Sequence, residues 1–167
     1  MPPGSEGLIL LPHCAGSVSP VSNPDARGVA WGITLAHGKA HWARAILESV
    51  AYLLADNIGV LNELIGPVAE IRALGGASES PLWMRIFADT LKLPVTVTDC
   101  AEATSLGAAM LAATAVGAHP DLTSAAAGMV RVRERFEPGP EAARYPEYLA
   151  RYRALNQLIL PTFGGKQ

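Results

Sequence analysis

The chain is predicted to adopt an α/β fold built on parallel strands, and three features of the sequence point there. Two short apolar runs, Glu70–Leu74 and Pro94–Thr98, read as strands, and one helix-length segment, Ser80–Leu91, lies between them. Strands separated by single helices pair in parallel through right-handed crossovers. A glycine turn, Gly75-Gly76-Ala77-Ser78, follows the first strand and leads into that helix. A long segment ahead of the first strand, about 37–65, carries apolar residues at steps of three and four, the helical period. At 167 residues the chain is about one domain, 1–167.

The elements follow in order. Leu8 to Leu11 is a short apolar run suited to a strand, within thirty residues broken by Pro12, Pro20 and Pro24. Asp25 and Arg27 fix a loop there or face a cleft. The long helix, from about His37 to Ile65, places Ile46, Val50, Leu53, Leu54, Ile58, Leu61 and Ile65 on one side. Gly59 costs it about 1 kcal/mol relative to Ala. His37 and His41 have the i, i+4 spacing of a metal pair. Gly38 stands where a zinc protease needs glutamate, however, so capping or packing is the expected role. Glu48 and Asp56, eight residues apart, are expected on a solvated face rather than as a catalytic carboxylate pair.

Ser80-Pro81 is a helix start, a hydroxyl cap followed by proline at the first helical position. A further helix is expected over Thr104–Val116, capped by Thr104 or Ser105. Its Gly107-Ala108-Ala109 offers a flat face for close approach to the sheet. His119-Pro120 ends that helix, and Asp121 to Met129 forms a short Ala-rich one. Val130 to Phe136 alternates with period two, as an edge strand with its basic side in water. The last helix, about Glu141 to Leu160, carries Tyr145, Tyr148, Tyr152 and Leu155 as a core stripe.

Composition narrows the function classes. Half the residues are apolar and 17% are charged, enough for a sizeable core. A net charge of −2 gives no electrostatic reason for a nucleic-acid or membrane partner. The two cysteines, Cys14 and Cys100, are far apart and have no CxxC spacing, so reduced thiols in a cytoplasmic protein are expected rather than a disulfide framework or zinc site. Charges such as Glu48 and Asp56 interrupt the apolar stretches, so no segment reads as membrane-spanning. Residues 1–6 lack the pattern of a signal peptide.

The chemistry concentrates at the glycine turn. Adjacent glycines after a strand let backbone approach a bulky ligand, because no Cβ intervenes. The following helix presents free N–H groups at its start, which suit phosphate or sugar oxygens. Both strand-end turns would lie at the carboxyl edge of the sheet, where open α/β sheets bind ligands. Strand, glycine turn and helix together make a nucleotide-site candidate; a simple packing turn is the alternative.

GGASESPLW, then Ala88-Asp89, LKLPVTV and LGAAMLAA, resembles the adenosine-binding segment of FGGY-type carbohydrate kinases. Gly28-Val29-Ala30-Trp31-Gly32-Ile33, followed by His41 and Ala45-Ile46-Leu47-Glu48, is similar to that family's second signature. GLILLPHCAG and NPDARG fit the run ahead of it. The resemblance covers roughly residues 7 to 160 and is closest in tone to xylulose kinases. Ala30, Trp42 and His13-Cys14 depart from the usual residues, which bears on substrate more than on family.

The resemblance implies an actin-like, ribonuclease-H-like ATPase fold, here an incomplete C-terminal domain of a two-domain sugar kinase. It implies ATP, with Mg²⁺ in the complete enzyme, and a sugar such as xylulose bound through an N-terminal domain absent from this chain. It places adenosine on Gly75, Gly76 and Ala77, with Ser80 beside the base or ribose. It assigns no catalytic residue and no metal ligand here, because the catalytic base and the phosphate loop belong to parts that are missing; no GTSG-like segment occurs in the chain. The chain alone is then expected to be inactive, and its partners are ATP or ADP, a complementing kinase subunit or a second copy.

Three other classes stand beside this one. The first is a non-catalytic nucleotide-binding or interaction module derived from a kinase. A Rossmann dehydrogenase is disfavoured, because the turn is GGAS rather than GxGxxG and only Asp99 stands near the ribose-clamping place. A structural oligomerisation domain would need no polar cleft at the two glycine turns.

Overall fold

A computed structural model describes residues 1–100 and 102–164. Among the described residues, five strands, β1 (Ile9–Leu11), β2 (Val29–Trp31), β3 (Ile71–Ala73), β4 (Val95–Thr98) and β5 (Val132–Phe136), are interspersed with five α-helices. The helices are α1 (Lys39–Ile65), α2 (Pro81–Leu91), α3 (Ala103–Ala115), α4 (Leu122–Met129) and α5 (Tyr145–Ile159). β1 and β2 form a small antiparallel ribbon. The main sheet has the order β3-β4-β5, with β3 parallel to β4 and β5 antiparallel to β4.

β4 is the centre of this sheet. All four residues of Val95–Thr98 are buried, as a strand paired on both edges and covered on both faces requires. Val95 and Val97 join Met84, Ile86, Phe87 and Ala88 of α2, Phe136 of β5, and Tyr145, Tyr152 and Leu155 of α5 in one core. The expected tyrosine stripe of the last helix is therefore core, except that Tyr148 is only partly buried. Residues 140–143 form a separate 3₁₀ turn, so α5 begins at Tyr145 rather than at Glu141.

α2 starts as the sequence predicts. Ser80 caps it by accepting from the Trp83 N–H at 3.3 Å, with Pro81 at the first turn. The Trp83 indole N–H donates to the Leu47 carbonyl at 3.1 Å and so ties α2 to α1. The β3–β4 crossover through α2 is thus fixed at its entry by a cap and at its flank by a hydrogen bond.

α1 differs from the expectation in which side it buries. Ala45, Glu48, Ser49, Ala51, Tyr52 and Ile58 are the buried residues, whereas Ile46, Leu61 and Ile65 are exposed. The physical reason is Glu48. Its carboxylate accepts from Arg44 Nε at 2.7 Å and from the Gly4 N–H at 3.0 Å, with the Tyr145 hydroxyl at 3.3 Å. A buried charge met by that many donors is tolerable in the interior. Asp56 is likewise no solvated carboxylate, because it accepts from Arg153 Nε at 2.6 Å with 14% of its side chain exposed. The solvated face expected for this pair is corrected on both counts.

His41 caps α1, and His37 fixes the turn ahead of it. Thr34 N–H donates to His37 Nδ1 at 3.0 Å, and Gly38 N–H donates to His41 Nδ1 at 3.1 Å. Arg27 holds its loop by donating to the Pro24 and Ala26 carbonyls at 3.2 and 2.8 Å, so loop fixing is its role here.

α3 is where the packing expectation fails. None of its described residues is buried, and among the elements it packs substantially only on α4. A Cβ placed on Gly107 would meet nothing within 4 Å, so among the described residues the small-residue face is open at Gly107. The helix also has no side-chain cap: Glu102 holds the cap position, and Thr104 and Ser105 lie inside the first turn. α4, by contrast, is capped by Asp121, which accepts from the Ser124 N–H at 2.7 Å.

β5 is the edge strand expected, and only Phe136 of it is buried. Its arginines are ion-paired rather than free in water. Arg135 reaches Glu137 at 2.6 Å and Glu70 at 3.0 Å. The Arg72 guanidinium, and after it Arg135, hold the Glu70 carboxyl below the usual carboxylate range.

Candidate functional site

β3 and β4 run parallel, so their carboxyl ends point the same way and bring two turns to one edge. The first turn leaves β3 at Ala73 and passes through Leu74 to Gly75. Gly75 has φ +76° and ψ −171°, a conformation that a side chain resists. Gly76 to Glu79 then make one 3₁₀ turn ahead of α2. The second turn, beginning Asp99-Cys100, leads from β4 into α3.

The turn is closed from within by Ser78. Its N–H donates to the Gly75 carbonyl at 3.0 Å, its hydroxyl donates to the same carbonyl at 2.7 Å, and it is itself buried. The Ser80 N–H donates to the Ala77 carbonyl at 3.2 Å. The Gly75 and Ala77 carbonyls are thus satisfied within the turn, and its outer surface carries no side chain at two successive positions.

Gly75, Gly76, Ala77 and Ser80, the four residues expected at the site, stand together on this one turn. Gly76 is exposed, and a Cβ there would meet nothing within 4 Å. The space above it is open, as close approach by a flat ligand requires. Ser80 uses its oxygen to cap α2 and keeps its hydroxyl proton to donate. A cavity of about 550 Å³ lies elsewhere, between α2, β5 and residues 1–3. Carboxylates and guanidinium groups of both signs line it, and none of the four turn residues does.

Three residues bearing on the turn, Ser78, Glu79 and Arg133, have roles that the sequence reading did not assign. Ser78 locks it internally. Arg133 of β5 donates from Nη2 to the Ser78 carbonyl at 3.1 Å and from Nη1 to the Glu79 carboxylate at 2.9 Å. A serine three residues after a glycine is a visible turn signal. The pairing of Glu79 with Arg133, 54 residues away, has no local signature.

Comparison with known proteins places this geometry. Residues 2–116 match the profile described as the FGGY family of carbohydrate kinases, C-terminal domain. The chain belongs to that family. Among its relatives, glycerol kinase of Aromatoleum aromaticum is 39% identical over 152 residues, covering 90% of this chain and 30% of the relative. Xylulose kinase of Staphylococcus epidermidis is 32% identical over 153 residues, covering 91% and 31%. The chain thus spans about a third of the length of the curated FGGY kinases it matches.

Solved FGGY-kinase structures agree. Gluconate kinase of Lactobacillus acidophilus superposes with a TM-score of 0.85 at 28% identity, over 98% of this chain and 33% of that one. Plasmodium falciparum glycerol kinase, solved with ADP, superposes with a TM-score of 0.80 at 25% identity, over 93% and 31%. The fold is that of a sugar-kinase C-terminal domain, of the actin-like, ribonuclease-H-like ATPase class. Among the described residues, no helix is long and apolar enough to cross a membrane.

Proposed function

We propose that this chain is the nucleotide-binding portion of an ATP-dependent carbohydrate kinase, with adenosine lying on the backbone of Gly75, Gly76 and Ala77 and with Ser80 beside the base or ribose. The observation that carries the reading is Gly76: exposed, open where a Cβ would stand, and set at the carboxyl end of a parallel strand pair. The ADP of the Plasmodium falciparum glycerol kinase structure supports a nucleotide as the ligand.

In the complete reaction the γ-phosphoryl group of ATP passes to a hydroxyl of a sugar such as xylulose. Mg²⁺, when bound with ATP in the complete enzyme, would supply charge neutralisation, and the catalysis is positioning and electrostatics. The residues of this chain hold the adenosine end. The base that takes the sugar's proton, the sugar pocket and the phosphate loop lie in the part of an FGGY kinase outside 1–167, and a complementing kinase subunit is the partner that would supply them. The chain by itself then has no sugar-dependent turnover. Steady sugar-dependent ADP release by the pure chain would overturn that statement. A cytoplasmic location goes with this reading.

The placement of adenosine is tested by Gly76→Val. ADP binding is measured by calorimetry on the chain recombined with the N-terminal portion of an FGGY kinase, with circular dichroism as the fold check. Binding lost with the fold intact supports the site. Unchanged affinity in a folded variant shows that the turn is structural and that adenosine lies elsewhere.

A further inference from the structure

We propose that Arg133 is a positioning residue for the nucleotide, delivered onto the Gly76–Glu79 turn by a bulge in β5; this rests on the adenosine placement above. The register of β4 and β5 shows the bulge. Val95 pairs with Phe136, Thr96 with Arg135 and Val97 with Glu134, but Thr98 pairs with Val132. The step from Glu134 to Val132 skips Arg133, which is left opposite no residue of β4. An extra residue in one strand breaks the two-residue alternation and re-aims its side chain. Here it is aimed past the end of β4 to the turn that follows β3.

What Arg133 meets there is specific. Nη2 donates to the Ser78 carbonyl at 3.1 Å, and Nη1 donates to the two Glu79 carboxylate oxygens at 2.9 and 3.1 Å. The guanidinium fork thus spans the backbone and a side chain of consecutive residues, a geometry that a point-charge ammonium does not reproduce. With 36% and 51% of the two side chains exposed, the Arg133–Glu79 ion pair is worth little as stability. Its consequence is direction. Gly75 and Gly76 have no side chains to anchor them, so their conformation is set by Ser78 from inside and by Arg133 from outside. A turn held in its binding shape loses less entropy when a ligand settles on it.

The test uses the 167-residue chain with Arg133→Ala, Arg133→Lys and, as a control on the same strand, Arg135→Ala. Amide hydrogen exchange of Ser78 and Ser80 in the free chain reads the turn directly. Calorimetric titration of the chain recombined with the N-terminal portion of an FGGY kinase, with ADP and with uncharged adenosine, reads binding. Arg133→Ala is expected to speed exchange at those two amides severalfold while leaving α2 unchanged. It should weaken ADP and adenosine alike by about three- to tenfold. Arg133→Lys should restore only part of this, and Arg135→Ala should match the unsubstituted chain. Unchanged exchange in Arg133→Ala overturns the proposal. Loss of ADP affinity with adenosine unaffected overturns it too, in favour of a direct phosphate contact. If the unsubstituted recombined chain binds neither ligand while Arg133→Ala still speeds exchange, the nucleotide reading has failed and the clamp is structural.

Discussion

Arg44 and Glu48, one turn apart on α1, form a buried ion pair at 2.7 Å whose two ends reach different parts of the chain. Arg44 Nη2 donates to the Tyr145 hydroxyl at 2.6 Å, at the start of α5. Glu48 accepts from the Gly4 N–H at 3.0 Å. One helix turn thereby fastens the chain's first residues to its last helix.

Glu48→Ala should be among the most destabilising single substitutions. It leaves the Arg44 guanidinium, only 10% exposed, without its carboxylate, and strands the Gly4 N–H. Removing one partner of a buried pair costs about 3–5 kcal/mol. Urea denaturation followed by circular dichroism measures it. A cost under about 1 kcal/mol, the range of an exposed pair, would refute the buried role.

Gly75 and Gly76 should respond differently to alanine. Gly75 sits at φ +76°, where a Cβ is strained, although the space around it is open. Gly75→Ala should cost about 1–2 kcal/mol. Gly76 has neither a positive φ nor a neighbour to clash with, so Gly76→Ala should stay within about 0.5 kcal/mol. The difference between the two denaturation midpoints is the measurement, and equal costs would contradict the turn geometry.

Stability should fall at alkaline pH. Burial, and after it the Glu48 carboxylate, pushes the Tyr52 and Tyr145 hydroxyls well above the ordinary tyrosine value; burial, and after it Asp56, does the same to Tyr152. A raised folded-state value means that the unfolded chain releases its tyrosine protons first. The contribution is therefore complete below about pH 10 and is lost as pH rises beyond it. The Tyr152 hydroxyl has no hydrogen-bond partner among the described residues, so Tyr152→Phe should fold normally and lose less stability between pH 9 and 11. A pH profile identical to that of the unsubstituted chain would count against this.

Much of this protein could be read from its sequence because the governing signals are local. Ser80-Pro81 specifies a capped helix, the three- and four-residue steps specify α1, and two glycines after Ile71–Leu74 specify a turn open to a ligand. The family motifs fall on the same residues, and the four expected site residues stand together on that turn. Tertiary structure decided the rest. Glu48 looks like a surface carboxylate until Gly4, Arg44 and Tyr145 converge on it from 44, 4 and 97 residues away. α3 reads as a sheet-packing helix by composition, yet nothing in its own residues says that among the described elements it packs substantially only on α4 and buries no residue. Arg133 reads as a solvated edge residue, because the one-residue slip that aims it at Ser78 arises from the pairing of β4 with β5. Local propensity sets which segments become helices, strands and turns. Burial, charge pairing and register depend on partners distant in sequence, and these exist only once the chain has folded.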